Sequence, residues 1–370
     1  MSDAFNNRLA QARTAAASAG IDALLITPGS DLRYLTGYAA LPLERLTCLV
    51  LPTDGEAVLV VPGLEEPAAQ ASPAGGLDLR ILPWSETDDP FGLVAHTLAD
   101  VRRVGLDDHM WAEKVLRFRA AMPDAEQVLA GAALSELRIR KDADELDALR
   151  AAARAIDRVH ARMPEWLKAG RTEHEVGRDI ADAIIAEGHV SADFVIVASG
   201  PNGASPHHET GERIIRAGDP VVVDIGGTTA AGYCSDETRT YVVGEPPAGF
   251  VTEYGALKQA QEAAVAQVRP GASAESVDAA ARDVLHEAGL GEYFIHRTGH
   301  GIGLETHEDP YIVAGNTRPI EPGMAFSIEP GFYVPGRYGA RIEDIVVATE
   351  DGVERLNLRP RELTVIDADA

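Results

Sequence analysis

The feature that most restricts how this chain can fold is a weak internal repeat that carries acid into apolar strands. Residues 170–188, GRTEHEVGRDIADAIIAEG, align with residues 271–289, GASAESVDAAARDVLHEAG, at an offset of 101. Thr172 matches Ser273 as N-cap, Val176 matches Val277, Ile184 matches Leu285, and Gly188 matches Gly289 just past the helix end. Thr172 with Glu175 is also a capping box, in which each side chain bonds the other residue's backbone N–H. Both segments are therefore predicted as capped amphipathic helices. The strands that follow extend the repeat. VVVDIGG (221–227) corresponds to FSIEPG (326–331), and SDETRTYVV (235–243) to RIEDIVVAT (341–349). In each copy an apolar strand carries one carboxylate ahead of a glycine turn, and a second strand opens with another. The offsets grow to 105 (Asp224 to Glu329) and 107 (Asp236 to Glu343), as loop insertions produce. Two such halves bring four carboxylates to one pseudo-symmetric centre.

A buried, unpaired carboxylate is costly, or else takes up a proton. One such Asp at a strand end is explained equally well by bonds to turn amides. Four in matching contexts repel one another unless cations sit among them. Hard oxygen ligands suit Mg or Mn, and imidazole extends the choice to Fe, Co and Zn. TGHGIGLETHEDPY supplies imidazole: His300 between glycines that let the backbone approach a metal, His307 seven residues later, and His296 four residues before His300. His207 and His208, in SPHHE after the predicted strand FVIVASG, add two more. A lone histidine is usually structural or exposed; three in one short window beside carboxylate strands favour ligation. Competing motifs fail. HEVGR (174–178) is not HExxH, GHGIG lacks the βαβ setting of a dinucleotide loop, and neither a P-loop nor a G-x-S-x-G elbow occurs.

The remaining pattern sets the organisation. Residues 3–19 read as a helix ending at Gly20, and 23–29, 47–55 and 57–63 as short buried strands closed by Pro or Gly. These give a small N-terminal α/β domain, residues 1–134. A charged seam at 135–146 then leads into a long helix that Pro164 ends or kinks, opening a second domain, residues 135–370. The fold class is α+β, and the 370 residues suit two or three domains. With 33 basic against 58 acidic residues the net charge is −25, which argues against nucleic-acid and anionic-membrane partners. Cys48 and Cys234 cannot form a disulfide framework or a thiolate zinc site. No signal-peptide core and no membrane-length apolar run is found, so the expectation is a soluble cytoplasmic protein.

Six ordered motifs carry a family resemblance: SGPNGASPHH, GDPVVVDIGG, GYCSDETRTY, HRTGHGIGLETHE, EPGMAFSIEPG and GARIEDIVV. Residues 135–360 resemble the pita-bread metallopeptidases of the methionine aminopeptidase, aminopeptidase P and prolidase superfamily. The domain before them is similar to that of the prolidase, aminopeptidase P and creatinase branch, and bacterial Xaa-Pro dipeptidases are the nearest in motif. The resemblance implies two divalent ions per chain, Mn foremost with Co, Zn or Fe as alternatives. It makes Asp224 a ligand of one ion, Asp236 and Glu343 bridges between both, and His300 and Glu329 ligands of the other. His207 and His307 would line the reaction centre, His296 would lie on the substrate side, Arg341 would support the ligands, and Tyr233 would help orient a bridging carboxylate. Glu329 would also accept the proton of the attacking water. The implied substrate is a small peptide with proline second, and the implied assembly a homodimer. One departure is visible: DIGGTTAAGYCSD is one residue longer than the family's usual spacing, in a turn beside Tyr233.

The implied activity is hydrolysis of Xaa-Pro dipeptides. Alternatives are an aminopeptidase P acting on longer peptides and, in another class, a metal-free pita-bread module that binds peptides or proteins. A creatinase-like enzyme is disfavoured by the complete ligand set, and a methionine aminopeptidase by the long N-terminal domain. A dipeptidase must also meet its substrate's free carboxylate with a cation. Arg341 lies in a motif that aminopeptidases P share, which leaves Arg45, in LPLERLTCLVLP, and Arg337, in VPGRYGA. The plain alternative for Arg45 is a surface pair with Glu44.

Overall fold

A computed structural model of the chain describes residues 2–98 and 100–368. They form two compact units, the first ending at Arg138 and the second beginning at Ile139. The expected boundary at 134 falls inside helix Gly131–Arg138. That helix buries Ala133 and Leu134 and packs against helix Ser2–Ser18, so it belongs to the first unit.

The first unit is built on a six-stranded mixed sheet. Strand Ala23–Ile26 lies in its interior, antiparallel to Cys48–Pro52 on one side and parallel to Arg103–Leu106 on the other. All four residues of Ala23–Ile26 are buried, as a strand covered on both faces requires. Leu25, Val50, Val60, Phe91 and Phe118 fill one face of this core.

The second unit repeats one pattern twice. Each half has a long helix, then a capped helix, then a β-hairpin. The first half contains Ala143–Ala161, Glu173–Ala186 and the hairpin Pro220–Thr229/Cys234–Val243. The second contains Phe250–Gln267, Ala274–Glu287 and a hairpin running from Ala325 to Thr349. The caps fall where the sequence places them. Thr172 accepts from the Glu175 amide while the Glu175 side chain returns to Thr172, and Ser273 accepts from the Ser276 amide. The long helix stops at Ala161, and Pro164 falls in the first turn of the short helix Met163–Trp166 that follows, where its missing N–H is harmless.

Register fixes where the acids stand. In the first hairpin Asp224 pairs with Thr238 and Gly226 with Asp236. In the second, Ile328 pairs with Asp344 and Gly331 with Arg341, one common register interrupted at Glu329–Pro330 and Ile342–Glu343. Glu329 and Glu343 therefore occupy the break itself, opposite each other. The two hairpins are tied together by the Glu343 amide donating to the Thr238 carbonyl at 3.1 Å. No helix among the described residues is long and apolar enough to cross a membrane.

Behind the first hairpin His160 is fully buried. Its Nε2 faces the Glu237 carbonyl at 3.1 Å and therefore carries the proton, leaving Nδ1 to accept from the Tyr241 hydroxyl at 2.9 Å. Burial, and next the positive charges of Arg239 and Arg359, push this imidazole down to about 3. The folded state thus excludes a proton that the unfolded state takes up near pH 6.5. This contribution to stability is complete above pH 6.5 and is lost as the pH falls towards 3. The slope is at most about 1.4 kcal/mol per pH unit. Urea unfolding between pH 7 and pH 5 should show wild type weakening more steeply than His160→Gln, by up to one proton; parallel curves would remove His160 from the linkage.

Candidate metal centre

Strand alternation decides which acid of each adjacent pair reaches the centre. In Asp236–Glu237, Asp236 faces a cavity of about 630 Å³, while Glu237 faces Arg239 on the other side. In Glu343–Asp344, Glu343 faces the cavity, while Asp344 is held by Arg239, Arg355 and Arg361. Asp224, Glu329 and His300 line the same cavity. All five sequence-assigned ligand positions therefore meet at one place.

Their hydrogen bonds are incomplete in an informative way. Asp224 Oδ2 accepts from Arg341 at 2.5 Å, and Glu343 Oε2 from the Thr238 hydroxyl at 2.7 Å. The other oxygens, Asp224 Oδ1 and Glu343 Oε1, are buried with no partner, as is Asp236 Oδ1. Native proteins rarely leave buried polar atoms so. Burial first, then repulsion from the neighbouring carboxylates, pushes Asp236 and Glu343 well above the usual carboxylate range. Donor atoms of Asp236, His300 and Glu343 lie within 4.8 Å of one another. Unsatisfied carboxylate oxygens converging with an imidazole fit a divalent cation, and the mixed oxygen and nitrogen donors suit Mn, Fe, Co or Zn.

His300 is buried, with Nε2 3.2 Å from Glu329 Oε1 and Nδ1 3.1 Å from the Gly301 carbonyl. The Nδ1 contact fixes the proton there and leaves Nε2 as a lone-pair acceptor turned towards the carboxylates. The flanking glycines answer to the neighbouring strands. A Cβ at Gly299 would lie 1.9 Å from the Ser327 carbonyl oxygen, and one at Gly301 would lie 2.1 Å from that of Asp309. Close approach of the neighbouring strands excludes every larger residue.

The other histidines separate. His207 and His307 line the cavity. The His307 ring lies 4.0 Å from that of His300, and burial, then the charges of His300 and Arg297, bring it down to about 4. His208 is structural: its Nε2 lies 2.8 Å from buried Glu173, which also accepts from the Ser199 amide and hydroxyl and from Asn202. This acceptor anchors the loop that carries His207. Lys141 anchors the other loop through a buried 2.6 Å ion pair with Glu308, next to His307.

His296 lines the cavity, but both of its nitrogens are engaged. Nδ1 donates to the Arg297 carbonyl at 2.7 Å, and Nε2 accepts from the Tyr333 hydroxyl at 2.8 Å. Tyr333 accepts in turn from Arg341 Nη1 at 2.7 Å. A relay thus runs from Asp224 through Arg341 and Tyr333 to His296. Sequence reasoning missed Tyr333; its position in GFYVP after the Glu329 strand was the available signal. Tyr233 is not among the residues that line the cavity. Its hydroxyl donates to Glu145 at 2.8 Å and its ring joins the cluster around Leu149, so it touches neither a substrate position nor the bridging carboxylate that the resemblance gives it. Arg45 lies in the first unit, its guanidinium held by Glu44 and Glu86 at 2.7 Å each. Arg337 is exposed at the tip of the second hairpin, bonded to the Tyr338 hydroxyl. A cavity-lining arginine, Arg297, was overlooked.

The fold and the centre are those of a metal-dependent peptidase. Residues 147–350 match the model of metallopeptidase family M24, and residues 8–140 match the creatinase/prolidase N-terminal domain. A Mycobacterium tuberculosis protein named probable dipeptidase PepE is 55% identical over 365 residues, covering 98% of this chain and 97% of the relative. The crystal structure of dipeptidase PepE from Mycobacterium ulcerans superposes with a TM-score of 0.94 at 53% identity over 99% of each chain. Recombinant prolidase from Thermococcus sibiricus gives a TM-score of 0.92 at 38% identity over 98% of this chain and 99% of that one. The chain belongs to metallopeptidase family M24, in the two-domain pita-bread arrangement.

Removing the Tyr333 hydroxyl tests the relay. Tyr333→Phe leaves a buried Arg341 N–H and His296 Nε2 without their best partner, and should cost roughly 1–3 kcal/mol of stability. Urea unfolding of wild type and variant at equal metal loading checks this; an unchanged midpoint would show that the relay does not support the fold.

Proposed function

We propose that this protein is an Xaa-Pro dipeptidase whose centre holds two divalent ions, Mn foremost. The observation that carries the reading is the convergence of Asp236, His300 and Glu343 donors within 4.8 Å, beside carboxylate oxygens that have no protein partner. The mixed donor set, the family and the dipeptidase and prolidase names of its relatives support it. On this reading Asp224, Asp236, His300, Glu329 and Glu343 would hold the ions.

Bound ions supply Lewis-acid charge that polarises the scissile carbonyl and makes water acidic enough to attack near neutral pH. Glu329, at the edge of the cluster, takes the proton of the attacking water. His307, neutral at working pH, donates to the carbonyl oxygen as negative charge builds there. His207, at the cavity mouth, delivers a proton to the departing prolyl nitrogen. Arg341 holds Asp224 through Oδ2 and leaves Oδ1 without a protein partner, available to a bound ion. Phe194 and Ile196 give the cavity an apolar wall against which a substrate side chain or ring can lie. The same reading makes the protein a cytoplasmic homodimer, on the resemblance alone.

Elemental analysis after reconstitution with Mn should give near two ions per chain, and Glu343→Ala should lose both metal and activity. Full metal and full turnover in that variant would end the assignment. His307→Ala should keep its metal while turnover falls roughly 10²–10³-fold, the scale of one lost oxyanion donor. A parallel loss of metal would instead make His307 a ligand. Substrate length is read from an Xaa-Pro dipeptide beside an Xaa-Pro-Xaa tripeptide; faster cleavage of the tripeptide would replace the dipeptidase reading with aminopeptidase P.

A further inference from the structure

Between the single helical turn Gly291–Tyr293 and strand Gly299–Gly301 the chain has no regular structure, yet this stretch carries His296 to the cavity and leads into His300. Backbone groups outside a ladder need other partners when they are buried. Helix Ala274–Glu287 supplies them from two side chains one turn apart. Arg282 donates to the Phe294 carbonyl at 3.1 Å and to the His296 carbonyl, and forks onto Asp278 at 2.6 and 3.1 Å. Asp278 is 1% exposed, and its Oδ1 also accepts from the Thr298 amide at 3.1 Å and hydroxyl at 2.7 Å. The Arg282 guanidinium lies 4.2 Å from the centroid of the Phe294 ring, and that ring meets His296 edge-on at 5.1 Å. Beyond this the Thr298 carbonyl accepts from the amide of Glu329 at 2.8 Å. An ion pair four residues apart that served the helix alone would lie in solvent and contribute little. Here one member is buried, and both reach a segment twelve to twenty residues further on.

We propose that Asp278 and Arg282 form a clamp that holds the backbone of residues 294–298 and so positions the His296 imidazole at the cavity. Both are positioning residues, and neither is among those that line the cavity. In the first half Glu173, on the matching capped helix, holds the loop that carries His207. The two halves meet one need with different residues. The position that matches Asp278 is Gly177, where a Cβ would lie 3.1 Å from the Thr210 methyl. The effect of the clamp on turnover rests on the dipeptidase reading; its effect on His296 does not.

Arg282 is the member to change, because it is 32% exposed where Asp278 is buried. Wild type, Arg282→Gln and Arg282→Lys are compared as Mn-loaded enzymes on an Xaa-Pro dipeptide, well below the unfolding temperature and with metal content measured in each. Arg282→Gln should keep its metal while kcat/KM falls roughly 10- to 100-fold, the scale of a misplaced site group. Arg282→Lys, which keeps the pair with Asp278 but cannot reach both carbonyls, should recover part of the loss. In the diamagnetic Zn-loaded protein the imidazole nitrogen NMR signals of His296, assigned by their loss in His296→Asn, should shift or broaden in Arg282→Gln while those of His160 stay in place. A folded Arg282→Gln with wild-type kcat/KM or unmoved His296 signals, whatever its unfolding midpoint, would make the pair a support of the fold and nothing more. Loss of metal in step with activity would also overturn the proposal, by moving the effect to the ligand strand. If wild type leaves the Xaa-Pro dipeptide uncut, the dipeptidase reading fails, and the His296 signals alone decide the clamp.

Discussion

Asp224, Asp236, Glu329 and Glu343 bring up to four negative charges into a region where water cannot screen them. Arg341 offsets one of these charges, and no second buried cation among the described residues lines that side. The remaining repulsion, and the oxygens without hydrogen-bond partners, are tolerable only if protons or metal ions complete the cluster. Metal affinity and fold stability are thereby linked, because ions that bind the assembled cluster and not the unfolded chain stabilise the fold by mass action. The rest of the second unit can be understood as the scaffold that keeps this repulsive arrangement together. Two hairpins, locked by the contact between Glu343 and Thr238, hold the acids at fixed separations.

The side chains that face the substrate are carried on loops, and loops need anchors. Glu173 provides one, gathering donors from Ser199, Asn202 and His208 beneath the segment that bears His207. The buried Lys141–Glu308 pair provides the other, immediately beside His307. Both anchors are buried charges held by partners, the form in which burial fixes geometry rather than loosening it. Flexible chemistry on rigid supports is what a hydrolytic site requires, since a small displacement of a reacting group costs much of the rate.

Much of this was legible in the sequence because its signals are local. Caps at Thr172 and Ser273, glycines past the helix ends and carboxylates inside apolar strands each follow from a few neighbouring residues. The ligand positions followed from the repeat together with the family motifs. What escaped notice depends on contacts between distant segments. Tyr333 matters because Arg341 and His296 both reach it, and no spacing rule announces that pairing. Tyr233 misled because it sits beside a ligand strand in sequence, yet its hydroxyl turns to Glu145, some ninety residues earlier. The crowding of the glycines around His300 was equally hidden, since the strands that crowd them come from other parts of the chain. Asp236 and Glu237 carry the same charge, and the two-residue period of the strand sends only Asp236 to the cavity.

The hairpin registers also govern where the chain is free to vary. The first hairpin is joined by the short turn around Ala230–Gly232, which is exposed at Ala230 and Ala231 and holds a left-handed glycine at Gly232. Here the chain is one residue longer than the usual family spacing, yet Asp224 and Asp236 still stand on paired strands. The second hairpin closes at Pro335–Arg337, equally exposed. Added length at either tip is absorbed in solvent, whereas a single residue inserted between Asp224 and Thr229 would turn every following side chain to the opposite face. Natural drift and deliberate engineering therefore have the same two places to lengthen this protein: a peptide tag or a new recognition loop can be spliced there while the acids keep their spacing.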